Sequence, residues 1–105
     1  MRTTNAGVAL AFATHGYHAK AESNNMHCEY GTLYSYETPV AVFVTDPEDD
    51  SLVVVIDTFN YSVTTRKQLA LVRKYIVESN CRVIETTKKL LPQMKWDELK
   101  ERNIV

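Results

Sequence analysis

The sequence predicts an α+β fold: a two-layer sandwich of a helix, a three-stranded antiparallel sheet and a second helix, followed by a C-terminal amphipathic segment. Three observations carry this reading. Apolar residues recur at helical spacing over 8–12 and again over 69–76. Three runs between 31 and 59 are rich in β-branched and aromatic residues. Two of those runs are joined by a short turn-forming stretch, which makes them a hairpin. The 105 residues fill one core and leave no room for a second. Residues 1–80 are therefore read as a compact α-β-β-β-α domain, with 81–105 an appendage of the same single domain.

The elements follow in order. Thr3, Thr4 and Asn5 offer N-cap oxygens to a helix in which Val8, Ala11 and Phe12 share a face, and Gly16 is a candidate stop. Residues 15–25 are polar and aperiodic and read as a long connection. Strands are expected over 31–36, 38–45 and 52–59, with Pro39 at the start or edge of its strand. Asp46, Pro47, Glu48, Asp49, Asp50 and Ser51 form the turn between the last two. Leu69, Val72 and Ile76 mark the second helix, capped by Thr64 or Thr65 and running to about residue 80. Residues 81–86 fit either a short strand or a loop. Pro92 opens the last segment, in which Trp96 and Leu99 share a face.

With 45% apolar and 24% charged residues, the composition is that of an ordinary globular protein and excludes disorder and collagen-like repeats. The longest strongly apolar run, over 52–56, is far short of a membrane span, and no secretory leader is evident. Two cysteines without a C-x-x-C partner fit a reduced, cytoplasmic setting. The net charge of −1 hides an uneven distribution: −1 over residues 1–45, −5 over 46–57 and +5 over 58–105. Such a chain can present faces of opposite sign to charged partners.

Four groups of residues are candidates for function. His15, His18, His27 and Cys28 have ligand types that suit zinc, but adjacent His27 and Cys28 point to opposite faces of an extended chain, so no metal or other cofactor is expected. Asp46, Glu48, Asp49 and Asp50 lack the ligand pattern of a calcium loop and fit a soluble hairpin tip or an acidic contact with a partner. Arg66, Lys67, Arg73 and Lys74 form one flank of the second helix, beside Thr65 at its start, and suit a phosphate backbone or an acidic protein. Trp96 and Leu99 suit a partner or homodimer contact. Tyr30, Tyr34, Tyr36, Phe59 and Tyr61 fit either sheet pairing or the stacking of bases.

The run Leu33-Tyr34-Ser35-Tyr36-x-Thr38-x-Val40-Ala41, followed by Tyr61-Ser62-Val63-Thr64-Thr65-Arg66-Lys67-Gln68, resembles a family of small proteins encoded by bacteriophages, prophages and plasmids. That family carries an LYSY-x-T-x-I-A strand and a YS-x-TT-x-K-H helix start, and the likeness covers about residues 5–76. The chain departs from it at Gln68, where the family often has His. The resemblance implies a mobile-element origin and transfers no catalytic residue. The expectation is a non-enzymatic accessory protein that acts by binding a bacterial host protein, such as a defence complex that it inhibits. A nucleic-acid-binding module working through the basic flank of the second helix is the alternative.

Overall fold

The computed structural model describes residues 2–14, 18–22, 25–59, 63–79 and 81–105. In chain order its elements are β1 (Arg2–Thr3), α1 (Asn5–Ala13), β2 (Ala19–Ala21), β3 (Met26–Glu29), β4 (Thr32–Ser35), β5 (Thr38–Thr45), β6 (Leu52–Asp57), α2 (Val63–Ser79), β7 (Arg82–Thr86) and α3 (Trp96–Glu101). The strands lie side by side in sequence order in one seven-stranded sheet, whose first member is only two residues long. Neighbours from β2 to β6 are antiparallel; β1 with β2 and β6 with β7 are parallel. The α+β class holds, but the expected three-stranded antiparallel sheet is overturned by this larger mixed one.

Local chemistry explains the meander. Glu29 pairs with Thr32 across a two-residue turn in which Tyr30 and Gly31 have φ of 50° and 72°. Positive φ at both central residues is the type I′ pattern, whose twist matches that of paired strands. Ser35 pairs with Thr38 across Tyr36-Glu37, where Tyr36 has φ 57°. Pairing then skips Val40, since Leu33 opposes Ala41 and Tyr34 opposes Pro39. This bulge lets both Val40 and Ala41 join the same core.

That core lies under α1 and α2. Thr4 caps α1, its Oγ1 accepting from the Gly7 N–H at 3.1 Å, and the helix ends at Thr14, whose N–H donates to Leu10 O. Phe12, Met26, Leu33, Val54, Ile56 and the α2 residues Leu69, Val72 and Ile76 are sealed here. Thr64 and Thr65, expected as caps, lie inside the first turn of α2, which begins at Val63. Gly16 and Asn80, the expected helix stops, fall outside the described residues.

The opposite sheet face carries a second core. Val42, Val44, Val53 and Val55 pack against Leu90, Met94 and Leu99. β6 is therefore apolar on both faces, as a central strand with a parallel neighbour requires. The segment after β7 makes the fold three-layered over this half of the sheet. It reaches β4, where the Gln93 N–H donates to Thr32 Oγ1 at 2.8 Å.

Candidate functional site

β6 runs from the β5–β6 hairpin tip to the residues preceding α2, so the acidic turn and the start of the basic helix lie at opposite ends of the same strand. At the tip, Glu48, Asp49 and Asp50 are exposed. The Ser51 hydroxyl and N–H hold the Asp49 carboxyl below its usual range. Asp46 behaves differently: it is only 5% exposed, accepts from the Glu48 N–H at 2.9 Å and pairs with Arg82 at 3.1 Å. Its charge serves the turn and not an outside partner, which corrects the expectation for that residue.

Beside this tip the chain forms a cleft of about 430 Å³ lined by Thr45, Pro47, Leu52, Met94, Trp96 and Asp97, among others. Trp96 is half-buried, with its body against the second core. Lys95 is the cation on this rim, and the α3 acids Asp97 and Glu98 add negative charge. Leu99, expected with Trp96 at an interface, is 0% exposed and belongs to the core. The structure thus joins two groups that the sequence left separate: the acidic turn and Trp96 border one apolar cleft.

The basic flank of α2 is partly spent inside the molecule. Arg73 holds Glu85 of β7 through Nη2 at 2.6 Å and Nε at 3.1 Å. Thr65 is 5% exposed and shares a 2.9 Å hydrogen bond with Ser35, so it braces α2 on β4 and is absent from the exposed flank. Arg66, Lys67 and Lys74 remain exposed, Lys74 with Nζ 5.7 Å from the Tyr75 ring centre.

Two further clefts open beyond the second core, one of them bordered by the start of the C-terminal segment. One of about 560 Å³ is lined by Lys20, His27, Tyr36, Glu37 and Thr38. The other, of about 490 Å³, is lined by Thr38, Asp57, Phe59, Thr87 and Lys89, and the two meet at Thr38. Register aligns Lys20, His27, Tyr34 and Pro39 across β2 to β5, with the His27 and Tyr34 rings stacked at 4.5 Å. Lys20 and Lys89 carried no signal in the sequence, because only the folded chain brings them near Thr38.

The histidine–cysteine group does not converge. Cys28 faces the helix layer, its Sγ donating to Val8 O at 3.9 Å, while His27 lies on the other face and His18 rests edge-on against Tyr30. Burial pushes the Cys28 thiol up to about 11. His15 falls outside the described residues, as do Tyr61 and Ser62 of the phage-like motif. Among the described residues no helix is long and apolar enough to cross a membrane.

Residues 11–98 match a family of unknown function (DUF8033), and the chain belongs to that family. The match extends from within α1 to within α3 and takes in most of both cores, leaving out Val8, Ala9 and Leu99. No curated protein and no solved structure matches the chain.

Proposed function

We propose that this is a non-enzymatic binding protein whose acidic end takes a basic protein partner, in the manner of a mobile-element inhibitor occupying a host defence complex. One observation carries the reading: Pro47 of the acidic turn and Asp97 line an apolar cleft with Trp96 on its wall, and Glu48, Asp49 and Asp50 follow Pro47 as exposed acids, with Lys95 the cation in the lining. A surface that combines an aromatic anchor with a mainly acidic rim suits a partner segment bearing cations around an apolar side chain. The anchor supplies affinity and the rim supplies steering. The phage-like LYSY and TT motifs support a mobile-element origin.

The test is affinity capture from nuclease-treated bacterial lysate, with wild type compared against Trp96→Ala and against a Glu48→Gln/Asp49→Asn/Asp50→Asn variant. The expected result is a discrete protein retained by wild type and lost from both variants. The same protein retained equally by all three, or recovery of nothing once nucleic acid is digested, overturns the reading.

A further inference from the structure

We propose that the open half of the sheet, at the end of the molecule opposite the acidic cleft, binds single-stranded nucleic acid, with bases on Tyr36 and Phe59 and phosphates on Lys20 and Lys89. The proposal stands independently of the protein-binding reading, which concerns other residues.

Four features carry it. First, two clefts adjoin at Thr38, which lines both, beside a sheet surface that the second core covers elsewhere. Second, Tyr36 and Phe59 are 56% and 59% exposed at its margin. Tyr36 also holds φ 57°, a conformation that Asn or Gly adopts with less strain. A large ring kept in a costly backbone position, with over half its surface in water, gains little from its own fold and is available to a ligand. Third, Phe59 is held in place: its N–H donates to the fully buried Asp57 carboxylate at 2.9 Å.

Fourth, the charge at this end is positive. Lys20 and Lys89 line the two clefts against exposed Glu37 and buried Asp57, so the positive balance at this end comes from Arg66 and Lys67. The Ser35–Thr65 hydrogen bond ties the first turn of α2 to the residue before Tyr36, which brings exposed Arg66 and Lys67 to the same end. Cations that follow a backbone, alternating with rings on which any base stacks, are the elements of single-strand recognition. Rings and cations on one open surface distinguish this site from a purely electrostatic helix flank, which a duplex would satisfy equally well.

Fluorescence anisotropy with a labelled oligothymidylate of about 12 nucleotides tests the proposal directly. Wild type should bind at low salt, with four phosphate contacts giving a log–log salt slope of about −3. Tyr36→Asn and Phe59→Ser each remove a ring from an exposed position, the first with a residue that suits the positive φ, and each should weaken binding about tenfold. Lys20→Ala with Lys89→Ala should reduce the slope to about −1.5. No binding by wild type, or rings that can be removed without effect, overturns the proposal. So does a duplex bound as tightly as the single strand with loss only on Arg66→Glu/Lys67→Glu, which would assign the activity to the helix flank.

Discussion

Cys28 and Gln68 show how much depends on single buried polar groups. The Cys28 thiol is 2% exposed and raised from 9.0 to about 11, chiefly by desolvation. The unfolded chain therefore loses this proton first as pH rises. Between those two values it binds fewer protons than the folded chain, so stability falls with pH, by up to about 1.4 kcal/mol per unit. Urea titrations at pH 8 and 10.5 should show this fall, and Cys28→Ala should remove most of it. Tyr34, raised from 10.0 by the same cause, leaves a smaller residue of the same sign. A full fall retained by Cys28→Ala would show that the thiol is not its origin. Gln68 is 1% exposed; its Nε2 donates to Asn25 O at 3.0 Å, while its Oε1 has no hydrogen-bond partner among the described residues. Since Asn25 O also accepts from the Tyr36 N–H, Gln68→Met removes one bond together with one unsatisfied acceptor. It should change stability by less than about 1 kcal/mol. Gln68→Glu leaves a charge in the same place and should cost about 3 kcal/mol or more. Equal costs for the two, measured by denaturant unfolding, would contradict this account of the buried amide.

Among the elements, the C-terminal segment departs most from its expected role. Leu90, Met94 and Leu99 close the second core over Val42, Val44, Val53 and Val55. Leu99→Ala should therefore cost about 2–5 kcal/mol in urea unfolding, as truncation of a sealed side chain does. Half-exposed Trp96→Ala should cost less, and the reverse order would place the tryptophan, not the leucine, at the centre of this layer. The sequence made α1, α2, β5 and β6 legible because each carries an apolar period or a β-branched run longer than its neighbours could disguise. β2 and β3 were hidden because Ala-Lys-Ala and Met-His-Cys-Glu are short and poor in β-branched residues, so pairing with neighbours makes them strands. The second face was hidden for another reason. The alternating valines of β5 and β6 fit a one-sided sheet as well as a two-sided one, and Leu90, Met94 and Leu99 follow no single period. Of the candidate contacts, Glu48, Asp49, Asp50, Arg66, Lys67 and Trp96 were legible as residue types. The inward turn of Asp46, Thr65 and Leu99 depends on partners 36, 30 or more positions away, beyond the reach of local pattern.

Across the whole molecule, the −1 net charge is the sum of two unlike ends. The six residues of β6 separate them by about 17 Å, given the rise of a strand. The Debye length is about 10 Å at 0.1 M salt, so each end presents its own sign to a nearby partner. Glu48, Asp49, Asp50 and Asp97 gather at one end, and Lys20, Arg66, Lys67 and Lys89 at the other. Two partners of opposite charge can therefore sit on the protein together without competing for a surface. Ion-exchange chromatography reads this arrangement without knowledge of either partner. At low salt and neutral pH the protein should be retained on both anion- and cation-exchange resins, although its net charge is close to zero. Glu48→Gln/Asp49→Asn/Asp50→Asn should then elute early from the anion exchanger and stay bound to the cation exchanger, while Lys20→Gln/Lys89→Gln should do the opposite. Retention that follows net charge alone, on one resin and lost equally through either set of substitutions, would mean that the two ends do not act as separate surfaces.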